Sequence, residues 1–262
     1  MATVAEVVLL HVEDGVGWIR LNQPEKLNPL GAAVREPLDS AFKRFERDPE
    51  VRVVVLIGSG RAFSAGADVR EFPGRSAREI ADGLREFWLP LFQRIRTMPK
   101  PVICGLNGLA AGIGVSLAVA CDIRIAADDA YFSEAFVNIG LGPDGGISWT
   151  LPRYVGRGKA LEMFYTGLPL PAAEAEGYGL VNRVVARNEV EPECRMLALQ
   201  LAAASPGALA AAKRAVEFAE TAGFAEAAEF ESYLQEARAD AEDFKEGVDA
   251  FLNKRKPEFR GR

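Results

Sequence analysis

Residues 101–127, PVICGLNGLAAGIGVSLAVACDIRIAA, decide how this chain folds. No charged residue occurs between Lys100 and Asp122, and a stretch of that length is enough to cross a bilayer. Its interior argues against a span. Pro101, Asn107 and the glycines at 105, 108, 112 and 114 divide it into a strand over 101–105, a tight turn at NGLAAG and a buried helix over 112–121. The short strand DIRIAA follows at 122–127, so strand, helix and strand succeed one another directly, the serial winding of an α/β protein.

The same grammar holds on both sides. Upstream, Val51 to Ile57 is a continuous apolar run closed by Gly58-Ser59-Gly60, the pattern of a strand covered on both faces. The first 22 residues predict a hairpin, VVLLHV and VGWIRLN joined by the turn cluster Glu13-Asp14-Gly15. Residues 31–47 predict a helix with Val34, Leu38, Ala41, Phe42 and Phe45 on one face, Pro37 lying near its start or bending it. A further helix is expected over 77–97. Downstream come a loop-rich section at 133–147, a helix over 157–166, a helix and turn at 171–179 and a strand at 181–185. Segments 194–204, 207–222, 223–239 and 241–253 then read as amphipathic helices. The expected division is a core over 1–195 and a helical region over 196–262 that packs on a second copy of the chain.

Composition excludes several functions. The chain has 262 residues, 49% of them hydrophobic, and 31 basic against 37 acidic side chains give a net charge of −6, so no nucleic-acid partner is expected. Cys104, Cys121 and Cys194 form no paired motif, which argues against disulfides or a thiolate metal site and for a reducing cytoplasm. The N-terminal sequence lacks the pattern of a signal peptide, so neither export nor a membrane is expected. His11 is the only histidine, which removes Ser-His and Cys-His nucleophiles and histidine-rich metal sites. Gly58-Ser59-Gly60 lacks the third glycine of a dinucleotide loop, where Phe63 stands. Gly158-Lys159 has Arg153 where a phosphate loop has its first glycine. Asp128-Asp129 has no further ligands at coordinating spacing, so no metal is expected. The chemistry must use carboxylates and backbone dipoles.

Two loops combine small residues with a following helix start: SGRAFSAGADV at 59–69 and NGLAAGIG at 107–114. Each follows a strand of a wound sheet, where ligands settle, and their free N–H groups are suited to holding an oxyanion. These segments, with LNQPEKLN at 21–28, ACDIRIA at 120–126, IGLGPDGG at 139–146, LPR at 151–153 and EGVDAFLNKRKP at 246–257, resemble the crotonase (enoyl-CoA hydratase/isomerase) superfamily over nearly the whole chain. The resemblance implies a spiral of ββα units, C-terminal helices that mediate trimerisation, often a dimer of trimers, and an acyl-CoA thioester as substrate with no separate cofactor. By position, the backbone N–H groups of Ala67 and Ile113 would bind the thioester oxygen, with Gly112 beside them. Lys26, Leu27, Ala65, Asp68 and Val69 would line the CoA moiety.

The departures sharpen the expectation. Where hydratases of this family carry two glutamates, the chain has Ser116 and Phe136. Ser116 can hold a water but cannot deprotonate it, and Phe136 can only add an apolar wall. The resemblance sets Asp144 where isomerase branches carry their acid/base aspartate, and GLGPDGGISWTLPR at 140–153 resembles the ring-epoxide isomerase branch of phenylacetate catabolism. An acyl-CoA isomerase is therefore expected, with Asp144 carrying the proton and apolar neighbours such as Phe136 and Ile147 raising its pKa. An enoyl-CoA hydratase and a non-catalytic acyl-CoA-binding protein are the alternatives.

Overall fold

The computed structural model describes residues 6–261. Residues 1–5, on which the expectation of no signal peptide partly rests, and Arg262 lie outside them. Strands β1 (Val8–Glu13) and β2 (Val16–Leu21) form the expected antiparallel hairpin, turning through Asp14 and Gly15, both at positive φ. Helix α1 (Ala32–Arg47) buries the five residues foreseen, from Val34 to Phe45, and continues through Pro37. Strand β3 (Val53–Gly58) is buried at every position, as its unbroken apolar run requires, and β4 (Ala62–Ser64) follows it.

The helical stretch 77–97 has three parts. Helix α2 (Ala77–Gly83) is closed by a Ser76–Glu79 capping box, a π turn spans Leu84–Trp88, and α3 (Leu89–Thr97) completes the stretch. Pro90 stands two residues after the π turn, and it has no N–H for the carbonyl four residues back. The decisive stretch resolves into β5 (Val102–Leu106), β6 (Leu109–Ala111) and α4 (Ile113–Ala120), followed by β7 (Ile123–Ala127) and β8 (Tyr131–Ser133). No helix among the described residues is long and apolar enough to cross a membrane.

Helix α5 (Ile147–Thr166) is interrupted at Gly156, with φ 79° and ψ 156°, so its first half lies where the sequence predicts no helix. Strand β9 (Leu170–Pro171), helix α6 (Ala172–Gly177) and strand β10 (Arg183–Val185) follow. The main sheet runs β1-β2-β3-β5-β7-β10 and is parallel from β2 onward; a second sheet runs β4-β6-β8-β9. That second sheet adds a short strand after each of β3, β5 and β7, giving the crotonase-like spiral that the resemblance implies.

Helix α7 (Val190–Ala202) packs on β3, β5 and β7 and buries Cys194, Leu197 and Ala198, so residue 195 lies within a helix of the core. Helices α8 (Pro206–Ala219), α9 (Phe224–Ala239) and α10 (Glu242–Leu252) extend beyond it. Lys213 ties α8 to the core: its Nζ donates to the carbonyls of Ile95 and Lys100 and pairs with Asp122 at 2.9 Å.

Candidate active site

β4 and β6 are neighbours in the second sheet, and the loops after them meet backbone to backbone. A Cβ on Gly66 would stand 2.5 Å from the Ala111 carbonyl oxygen, and Gly66 has φ +86°, so only glycine permits the contact. Gly112, at φ +50°, turns the chain into α4, whose first residue is Ile113. An N–H in a helix's first turn has no intrahelical acceptor. Among the described residues nothing in the chain accepts from the N–H of Ala67 or of Ile113.

A polar frame fixes these loops. Ser64 Oγ donates to the Asn28 carbonyl at 2.8 Å and accepts from the Gly66 N–H at 3.1 Å. The Asn28 carboxamide donates to the carbonyls of Ser59 and Ala62, while the Leu30 N–H donates to that of Gly66 at 2.7 Å. The Gly112 N–H donates to the Ser133 carbonyl at 2.8 Å, anchoring the second loop to the end of β8.

Asp144 closes the site from the other side, between a 3-10 turn (Ala135–Ile139) and the start of α5. Its carbonyl accepts from Ser116 Oγ at 3.1 Å. Ala67, Ile113 and Asp144 line one cavity of about 40 Å³, with Leu30, Trp88 and Leu141 among its apolar walls. Its side chain has no hydrogen-bond partner, and Oδ1 is buried. Burial pushes its carboxyl up to about 6. The cavity holds two other carboxyls, both engaged: Asp68 with Arg70 at 2.7 and 2.6 Å, and Glu71 with the Ala32 N–H at 2.7 Å and Arg75 at 3.5 Å. The Arg70 guanidinium holds Asp68 below the ordinary carboxylate range.

The structure thus gathers Ala67, Asp68, Ile113 and Asp144 around one space. Gly112, Ser116 and Phe136 stand behind its wall. Ser116 is 3% exposed with its hydroxyl proton committed to the Asp144 carbonyl, and the Phe136 ring lies 3.5 Å from where a Gly112 Cβ would be. Lys26, Leu27, Ala65, Asp68 and Val69 belong to one rim: the Ala65 N–H donates to the Leu27 carbonyl at 2.8 Å, Lys26 acts electrostatically on Asp68, and Val69 is 52% exposed. His11, by contrast, is exposed on β1 beside Glu13. No group of three or more metal-ligating side chains occurs among the described residues.

Two residues escaped the sequence reading. Arg35 lines the cavity with its guanidinium 5.9 Å from the Trp88 ring centroid, and burial draws its pKa down. Glu134 is completely buried, and neither carboxyl oxygen has a partner. Burial and the charge of Asp144 push its carboxyl up to about 8. Its only sequence signal is its place in YFSEAF, between Phe132 and Phe136, both buried.

The family model described as "Enoyl-CoA hydratase/isomerase" matches residues 11–262. The chain is 38% identical over 260 residues to "1,2-epoxyphenylacetyl-CoA isomerase" of Escherichia coli (strain K12), covering 98% of this chain and 99% of that protein. It is 39% identical over 257 residues to "Probable enoyl-CoA hydratase" of Rhizobium meliloti (strain 1021), covering 98% and 99%. Among solved structures, that of an enoyl-CoA hydratase from Bacillus anthracis superposes with a TM-score of 0.93 at 31% identity, covering 98% of this chain and all of that one.

Proposed function

The chain belongs to the enoyl-CoA hydratase/isomerase family, and from that premise we propose that it is an acyl-CoA isomerase whose single mobile carboxyl is Asp144. The N–H groups of Ala67 and Ile113 hold the thioester oxygen and strengthen their grip as negative charge develops there, each such donor contributing about 3 kcal/mol to the transition state. With a 3-enoyl thioester, the Asp144 carboxylate takes a proton from C2 and the C–H electron pair passes into the thioester as an enolate. Asp144 then returns the proton at C4, the 3,4 double bond moves to 2,3, and the carboxylate is regenerated. A ring-epoxide thioester is the other candidate substrate class.

The observation that carries this reading is that Asp144 is the one carboxyl in the cavity free of a partner, beside two unengaged N–H groups. A carboxyl held near 6 is mostly ionised at neutral pH and more basic than a solvated aspartate, which suits a base that must also release its proton. Ser116 and Phe136, in place of the two hydratase glutamates, support isomerisation over hydration. Hydratase chemistry is the second reading, favoured by relatives of equal similarity that bear the hydratase name.

The rim from Lys26 to Val69 is proposed to take the CoA portion, with Lys26 as the cation for a phosphate, and the reaction asks for no resident cofactor. Phe224, Phe251 and Leu252 on the C-terminal helices are 91%, 82% and 72% exposed, which supports a homo-oligomer, a trimer or dimer of trimers. Three buried, unpaired cysteines fit the cytoplasm. A panel of 3-enoyl, 2-enoyl and aryl-epoxide CoA thioesters tests the reading: isomerisation with little hydration of crotonyl-CoA is expected. Rapid hydration without isomerisation contradicts it, and tight binding without turnover identifies a binding protein instead.

A further inference from the structure

Glu134 is absent from the mechanism just given, yet it is the most conspicuous polar group in the molecule. Its residue is fully buried, both oxygens lack a partner, and it sits between Ser133, whose carbonyl anchors the Gly112 loop, and the 3-10 turn that leads to Asp144. A solitary buried carboxylate is far too costly to keep charged, so such a group persists as the acid. Asp144 is the one charged side chain that acts on it. Around Asp144 the cavity also holds Arg35, Asp68, Glu71 and Arg75, of which all but Arg35 are engaged in ion pairs or hydrogen bonds.

We propose that Glu134 is a positioning residue for proton transfer: a carboxyl kept in its acid form within electrostatic reach of Asp144, so that the pair carries one negative charge and Asp144 is the member that holds it. The inference rests on Asp144 being the base. Unequal burial divides the roles, because Glu134 is sealed in while Asp144 opens on the cavity. Like charges so placed cannot both ionise cheaply, so the loss of a proton from one raises the affinity of the other for its own. As pH rises Asp144 ionises first, with Glu134 still neutral. When Asp144 takes a proton from substrate the pair becomes neutral, and the charge has moved to the thioester oxygen.

Infrared titration of protonated carboxyl groups in the full chain, as wild type, Asp144→Asn and Glu134→Gln, tests this. In wild type, a buried acid band is expected to survive to about pH 8. It should be missing in Glu134→Gln. In Asp144→Asn, where no neighbouring charge opposes ionisation, its midpoint should fall below the wild-type value. Deuterium exchange at the α carbon of butanoyl-CoA supplies the functional readout: wild type is expected to leave its rate plateau near pH 8, and Glu134→Gln to remain on it. A Glu134 midpoint unmoved by Asp144→Asn, or superimposable exchange profiles for wild type and Glu134→Gln, overturns the pairing. Asp144→Asn that exchanges at the wild-type rate overturns instead the assignment of the base. Should Glu134→Gln fail to fold, the midpoint shift in Asp144→Asn still decides.

Discussion

The Ser116 hydroxyl donates to the backbone carbonyl of Asp144 at 3.1 Å, so Ser116 holds the loop of the carboxyl proposed as the base. A neutral hydrogen bond of this kind contributes about 1 kcal/mol, and its loss leaves a partly buried carbonyl with the Ile147 N–H as its remaining donor. Ser116→Ala is therefore expected to lower kcat by about 3- to 10-fold with KM little changed, because the rim proposed to take CoA lies elsewhere. Steady-state kinetics on a 3-enoyl-CoA check this, and an unchanged kcat shows that the loop is positioned without Ser116.

The pH dependence of turnover follows from the burial of Asp144. The proposed base works as the carboxylate, and its folded-state pKa is raised to about 6, so activity is expected to be lost as pH falls through that value. A profile of kcat/KM against pH measures it. An acidic limb near 4, that of a solvated aspartate, excludes this carboxyl as the group responsible.

The contact between the loops that carry Ala67 and Ile113 has no slack at Gly66. An alanine there puts Cβ against the Ala111 carbonyl oxygen, at a φ that alanine tolerates poorly. Gly66→Ala is expected to reduce turnover at least 100-fold and to destabilise the fold by roughly 1–3 kcal/mol, the scale for backbone strain at a special φ. Activity together with thermal unfolding checks both.

Stability should be traded for function at the carboxyl pair. Glu134 titrates near 4.5 when unfolded and near 8 when folded, so between those values the folded state holds a proton that the unfolded state has lost. The folded state therefore loses stability as pH rises from about 4.5 to 8, by a few kcal/mol. Glu134→Gln removes that slope, and its Tm advantage over wild type is expected to be larger at pH 8 than at pH 5. Equal Tm differences at the two pH values would show that Glu134 does not hold its proton on folding.

Legibility in the sequence tracks the length and burial of each element. β3 and β5 read directly because runs such as VVVLI and PVICGL are apolar on both faces, and α1 reads because five apolar residues recur at helical spacing. The second sheet does not: its strands span two or three residues and are built partly of alanine and serine, too short for an alternation to register. NGLAAG, read as a tight turn, contains one of them; only the family resemblance implied that extra layer. The first half of α5 was hidden by Pro152 and Gly156. Ala67, Ile113 and Asp144 are picked out as candidates only by the order of motifs that resemble the family, whereas Glu134 is not, because one glutamate after a three-residue strand looks no different from a solvated one.

Direct comparison of wild type with Asp144→Asn, each assayed for 3-enoyl-CoA isomerisation and for crotonyl-CoA hydration, bears most immediately on the role of the carboxyl. Losing the base is expected to cost isomerisation about 10²- to 10⁴-fold while thioester binding persists. An Asp144→Asn protein that isomerises at the wild-type rate, or hydrates crotonyl-CoA rapidly, contradicts the account.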